Sequence, residues 1–120
     1  MSKAIVTSAL ALALVLAWPG VPVAAEKFLA AAVDVPLMGG LTEVEGVGVV
    51  FDKPDGRIVE AYAVGSVAAS QVERYYTEVL PHLGWQKVEP ARYQRESETL
   101  RLNIGGRDGA LTVRFDITPR

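Results

Sequence analysis

The sequence predicts an α+β fold, a two-layer arrangement in which one helix packs on one face of an antiparallel sheet. Residues 47–64 form two β-branched runs separated by a turn, and residues 71–83 carry apolar side chains at helical spacing. Residues 100–117 alternate apolar and polar side chains in two runs. A helix with one apolar stripe and strands with one apolar face bury these surfaces by stacking. The expected order is β-β-α-β-β-β, and the second sheet face is expected to be solvated.

The chain begins with a segment typical of a Sec-type signal peptide. Lys3 is its only charged residue, an apolar run extends from Ala4 to Trp18, and Val23-Ala24-Ala25 supplies the small residues that precede a cleavage site. This run is shorter than the ~20 apolar residues that a membrane-spanning helix requires. We therefore expect residues 1–25 to be removed on export. An uncleaved N-terminal anchor and a buried core helix are the alternatives.

The composition bears on the compartment and on the partners. The 120-residue chain contains no cysteine, so disulfides are excluded, and this favours a bacterial periplasm over a eukaryotic secretory route. Its 12 Lys and Arg and 14 Asp and Glu give a net charge of −2, which provides no attraction to nucleic acid or anionic lipid. We expect a periplasmic or secreted protein with no stable membrane anchor after cleavage.

The segment that follows the signal, residues 26–46, is expected to be extended or looped. Its proline and its pair of glycines interrupt regular structure, and Leu37, Met38 and Leu41 could anchor it on the body of the protein. Residues 47–120 are expected to form the single α+β domain.

The first element of that domain is a hairpin. Val47–Phe51 is rich in β-branched and aromatic residues, and Arg57–Val64 resumes this pattern after a turn. Pro54 fixes a φ angle suited to the turn, and Gly56 can adopt the positive φ that closes it.

The second element is one amphipathic helix from about residue 71 to 83. Ser70 and Glu73 have the spacing of a capping box at its start. Gly84 suits the left-handed position after the last turn, which would allow Trp85 to fold back on Leu80.

Strands complete the domain. Trp85–Val88 leads out of the helix, and Ala91–Arg95 is a short run after a proline. Leu100–Ile104 and Leu111–Ile117 alternate inward and outward side chains, and the glycine-rich residues 105–109 form the turn between them.

Parts of the hairpin and of the helix resemble a group of small exported bacterial proteins with no assigned activity. The resemblance rests on Val49-Val50-Phe51-Asp52 followed by Gly56-Arg57-Ile58, on Tyr75-Tyr76 followed by Leu83-Gly84-Trp85, and on Tyr93-Gln94-Arg95. It implies the fold and a periplasmic location, and it implies no functional residues.

The residues that carry chemistry do not form a recognisable catalytic or cofactor set. His82 is the only histidine, and no serine lies in a Gly-x-Ser-x-Gly elbow. One histidine and no thiol are too few ligands for a structural zinc site. The acid pairs Glu43/Glu45 and Glu96/Glu98 lie beside turns, where solubility accounts for them better than acid–base catalysis does. We expect no cofactor, no metal and no enzymatic activity.

Four arginines are the candidate interaction surface: Arg92, Arg95, Arg101 and Arg114. Arg101 and Arg114 share the outward side of the closing hairpin and could form a basic stripe for an acidic partner or an anion. Alternatively, the nearby carboxylates pair with them across the strands, and the stripe is simply a solvated face.

Three aromatic residues are candidates for ligand contact or for the core: Tyr76, Trp85 and Phe115. They could line a pocket between helix and sheet, although aromatic side chains at such a junction usually pack inward.

The sequence thus favours a small, non-enzymatic interaction or accessory module. It would present the solvated sheet face or an edge strand to an envelope protein. A carrier of a small apolar or anionic ligand, bound between helix and sheet, is the alternative. An enzyme of unknown class is the third hypothesis, and it would require Asp, Glu, Tyr or Arg groups that converge at a concave site.

Overall fold

A computed structural model of the chain describes residues 27–120. The predicted signal peptide, residues 1–25, lies outside this range. The described part is one α+β domain with a short α-helix and a mainly antiparallel sheet, which confirms the predicted fold class. No helix within residues 27–120 is both long enough and apolar enough to cross a membrane.

The domain contains nine strands and one α-helix. The strands are β1 (Lys27–Phe28), β2 (Pro36–Leu37), β3 (Leu41–Glu43), β4 (Val49–Lys53), β5 (Gly56–Gly65), β6 (Gln86–Glu89), β7 (Arg92–Arg95), β8 (Glu98–Arg107) and β9 (Ala110–Pro119). The helix α1 (Ala69–Val79) continues into a 3₁₀ turn (Leu80–Leu83) between β5 and β6.

The strands β3 to β9 form one antiparallel sheet, and β1 pairs with β2 separately. The sheet order is β3-β5-β9-β8-β7-β6. The strand β4 also pairs with β5, along Gly56–Glu60, and β3 pairs with the later part of β5 on the same edge. This edge is therefore shared by two short strands.

The predicted strand order is not matched, because the sheet has more strands than expected. Four strands follow the helix instead of three: the chain reverses at Ala91, which has a positive φ of 61°, and the runs on either side pair as β6 and β7. Three short strands, β1 to β3, precede the hairpin. The strand β3 forms because the edge of β5 supplies backbone partners for Leu41–Glu43.

The start of α1 also differs from the prediction. The helix begins at Ala69, and Ser70 lies inside its first turn rather than at its cap. The side-chain oxygen of Gln71 accepts a hydrogen bond of 2.8 Å from the Ala68 N–H. A second cap comes from the β8–β9 turn, where Asp108 Oδ1 accepts a hydrogen bond of 2.9 Å from the Ala69 N–H.

The predicted helix ending is confirmed. Gly84 has a φ of 89°, and the Trp85 N–H donates to the Leu80 carbonyl at 3.1 Å. The last turn is 3₁₀ rather than α, as expected where Pro81 removes a backbone donor.

The core lies between one face of the sheet, here called the inner face, and a layer formed by residues 29–41 and by α1 with its 3₁₀ turn and Trp85. The buried side chains of the layer are Leu29, Ala32, Val35, Leu37, Met38, Val72, Tyr76, Leu80 and Trp85, with Leu41 beside them at the sheet edge. Tyr76 joins the two parts of this layer: its hydroxyl donates to the Pro36 carbonyl at 2.8 Å and accepts from the Met38 N–H at 3.2 Å. The opposite sheet face, here called the open face, remains uncovered within residues 27–120.

Candidate interaction surfaces

The open face carries a row of four charged residues that runs across the strands. Arg92 on β7 lies opposite Arg101 on β8, Arg101 lies opposite Asp116 on β9, and Asp116 lies opposite Glu60 on β5. Directly opposite residues of antiparallel strands share a face and have Cβ atoms about 4.5–5.5 Å apart. The row therefore begins with two adjacent arginines and ends with two adjacent carboxylates.

Both carboxylates of the row already have partners. Asp116 Oδ2 accepts hydrogen bonds from Arg114 Nε at 3.0 Å and from Asn103 Nδ2 at 2.6 Å. The bond to Asp116 raises the pKa of Arg114. Glu60 accepts a hydrogen bond from the Tyr62 hydroxyl, which raises the pKa of Tyr62 because the bond is lost when the phenol ionises.

The two arginines of the row are less well satisfied. Arg101 is exposed and makes no hydrogen bond or ion pair within residues 27–120. Arg92 reaches the exposed Glu89 at 3.5 Å through Nη1, while its Nε is buried and has no hydrogen-bond partner within the described part of the chain. Both side chains line a shallow depression of about 610 Å³ on the open face.

Of the two remaining candidate arginines, Arg114 lies on the open face as expected, whereas Arg95 lies on the inner face. Arg95 binds Asp34, lies 3.6 Å from Glu98, and places its guanidinium carbon 4.2 Å from the centre of the Trp85 ring. Its contacts are thus with the body of the protein, and the four arginines do not form one surface.

Arg95 belongs to an ion cluster at the rim of the core, formed by Asp34, Arg57, Arg95 and Glu98. Arg57 donates to Asp34 Oδ2 at 2.7 Å and to Glu98 at 2.6 and 3.1 Å. Partial burial acts to raise the pKa of Asp34, but the hydrogen bonds from Arg57 and Arg95 outweigh it and lower the pKa to about 2. The cluster ties the segment before the hairpin to β5, β7 and β8.

The three candidate aromatic residues are fully buried. Tyr76, Trp85 and Phe115 have no exposed surface, and the Tyr76 and Phe115 rings meet edge to face with centres 5.5 Å apart. Their contacts are those of core residues, and this favours the core interpretation over the ligand-pocket interpretation.

The strand β4 forms an apolar sheet edge. It pairs with β5 on one side, and no strand within residues 27–120 pairs with its other side. Val49 and Phe51 project on the open face and Val50 on the inner side, with exposed fractions of 50%, 60% and 56%. Natural edge strands are commonly protected by charges, proline or bulges. Asp52 and Lys53 supply charges at the end of β4, whereas the run Val49–Phe51 carries none of these features.

An apolar groove continues the line of β4. It has a volume of about 400 Å³, and its lining includes Val44, Val47, Tyr62 and Val64. Val47 precedes β4 by two residues, and Tyr62 lies two residues beyond Glu60, the partner of Val49. Val49 and Phe51 on the open face therefore form one apolar strip with this groove along the sheet edge.

The remaining candidates are separated or are engaged in the fold. His82 is exposed in the 3₁₀ turn. Of the two acid pairs, Glu43 accepts from the Ala30 N–H at 2.6 Å, and Glu98 belongs to the ion cluster. No three His, Cys, Asp or Glu side chains of residues 27–120 are grouped so that they could hold a metal ion.

No protein-family model matches this chain, and neither the curated proteins nor the solved structures searched gave a match.

Proposed function

We propose that this protein is an exported accessory module of the cell envelope that binds a partner protein by strand addition to β4. The observation that carries the proposal is the run Val49–Phe51, three consecutive apolar residues that are at least half exposed on an unpaired strand. Export is proposed from the charge, apolar run and small residues of segment 1–25.

The partner segment is an extended strand with apolar side chains on both of its faces. Its backbone would pair with the free edge of β4, and its side chains would cover Val50 on one face and Val49 and Phe51 on the other. Burying each of these half-exposed side chains contributes on the order of 1 kcal/mol. The groove at Val47 and Val64 extends the contact beyond the first residue of β4.

The two other hypotheses have less support. A carrier with a pocket between helix and sheet requires space at Tyr76, Trp85 and Phe115, which pack as core residues. An enzyme requires reactive groups that converge at a concave site. Glu60 and Asp116 do line the depression on the open face, but both carboxylates are bound by neighbouring side chains.

The test compares two lysine substitutions on opposite edges of the sheet. Val50→Lys places a charge in β4, and Val88→Lys places the same charge in β6, where Val88 is 43% exposed. We expect the wild type and Val88→Lys to capture a partner protein from a periplasmic extract. Val50→Lys should lose most of that capture.

Hydrogen exchange on the recovered complex then locates the contact. Strand addition predicts slower exchange of backbone amides within residues 49–53 when the partner is bound. Full capture by Val50→Lys, or protection confined to strands other than β4, would contradict the proposal.

A further inference from the structure

The pair Arg92 and Arg101 is an unusual feature of the open face. The two residues are direct cross-strand neighbours, and like charges in this position destabilise a sheet. Arg92 also leaves its Nε buried without a partner, although a buried donor without a hydrogen bond is costly. The fold thus retains an arrangement that is unfavourable unless something neutralises it.

The neighbouring carboxylates supply that neutralisation only in part. Asp116 lies opposite Arg101, but its Oδ2 is taken by Arg114 and Asn103. Glu89 approaches only Nη1 of Arg92, at 3.5 Å, and it is largely exposed. Arg101 is left with no anionic partner within the described residues.

The surroundings of the pair add neutral polar groups. Gln94, Thr99 and Thr118 line the same depression of about 610 Å³, and Arg120 lies at it as well. Glu60 and Asp116, the acidic end of the charged row, line it too. Thr99 faces both Gln94 and Thr118 across the strands, so these three side chains form a second row beside the charged one. Hydroxyl and amide groups of this kind can donate further hydrogen bonds to a bound anion.

The geometry points to an oxyanion site at Arg92 and Arg101, which takes a carboxylate or a phosphate group. A guanidinium presents a planar fork of donors that matches either group in a bidentate manner. One anion between the two forks would offset the repulsion between the arginines. The site lies on the open face and does not depend on strand addition at β4.

The test is a titration of the full exported protein, in which the NMR signals of the arginine Nε–H groups report binding. The probes are inorganic phosphate and succinate, with sodium chloride at matched ionic strength as the reference. We expect saturable shifts at Arg92 and Arg101. Tighter binding of phosphate would identify the ligand as a phosphate compound, and tighter binding of succinate would identify it as a carboxylate.

Substitutions on β8 provide the matched controls. Arg101→Gln should weaken binding about tenfold or more, and Arg101→Lys, which keeps the charge but loses the fork, should weaken it less. Arg107→Gln changes an exposed arginine at the far end of the same strand, and it should leave binding unchanged.

Two outcomes would overturn the oxyanion site. One is that neither probe produces saturable shifts, or that chloride produces the same shifts as the probes. The other is equal binding by wild type and Arg101→Gln, with unfolding curves showing that both are folded. Val50→Lys should bind the anion normally, so failure of this site and failure of strand addition are distinguishable.

Discussion

At the residue scale, the ion cluster shows how single side chains hold distant parts of the chain together. Asp34 is bound by Arg57, 23 residues away, and by Arg95, 61 residues away. These contacts favour the ionised carboxylate, and they lower its pKa despite the opposing effect of partial burial. Because the folded pKa of about 2 lies below the ordinary value of 3.8, the ionised form of Asp34 stabilises the folded state.

Asp34→Asn should therefore lower the free energy of unfolding near pH 7 by about 1–2 kcal/mol. The contribution of Asp34 is fully present above about pH 4 and is lost as the pH falls towards 2, since Asp34 then becomes protonated in both states. Urea unfolding between pH 7 and pH 2.5 should show wild type and variant converging. The control is Asp55→Asn in the exposed β4–β5 turn, and an equal loss of stability there would contradict this role of Asp34.

At the element scale, the helix α1 illustrates a local pattern that a distant residue overrides. Ser70 and Glu73 have capping-box spacing, yet the helix begins before them. The side chain that binds the Ala69 N–H belongs to Asp108, 39 residues later in the β8–β9 turn. A carboxylate at this position also interacts favourably with the helix dipole. The sheet register, and not the local sequence, places Asp108 there.

Two alanine substitutions separate the observed cap from the sequence-predicted one. Asp108→Ala should lower the free energy of unfolding by about 0.5–2 kcal/mol, because the first turn of α1 loses a charged acceptor. Ser70→Ala should change it by less than about 0.5 kcal/mol, because Ser70 is exposed inside the helix. Urea unfolding of both variants measures the difference. The reverse order of the two effects would restore the capping box as the start of the helix.

At the scale of the whole molecule, residues 27–46 are part of the core. Leu29, Val35 and Leu37 are among the buried residues of this segment, and Tyr76 of α1 binds its backbone at two points. Burying several such side chains contributes on the order of 10 kcal/mol. The entire stability of a small domain is about 5–15 kcal/mol. The rest of the sheet and α1 therefore depend on this segment.

Residues 47–120 alone should fail to fold cooperatively, whereas residues 27–120 should unfold in one transition. Without the segment, Tyr76 and the part of the inner face that α1 does not cover would be exposed to water, and the ion cluster would lose Asp34. Urea unfolding followed by circular dichroism, with the dispersion of NMR signals as a second measurement, compares the two fragments. Cooperative unfolding of residues 47–120 at the same midpoint would show that the segment is dispensable.

The local sequence was sufficient to predict the fold class, the β4–β5 hairpin, the end of the helical segment at Gly84 and the alternation of the closing strands. Each of these follows from residues close together in the chain: the turn at Pro54, the positive φ of Gly84, and the period of two in Leu111–Ile117. Local steric preference and local periodicity are sufficient to set such features.

Long-range contacts, in contrast, set which strand lies at the edge, which arginines share a face and what caps the helix. Arg95 and Arg101 are both strand residues, but the register turns Arg95 towards Asp34 and sets Arg101 opposite Arg92. These arrangements depend on backbone pairings between residues far apart in the chain. Such pairings are selected by the burial of the whole core, which no local segment of sequence encodes.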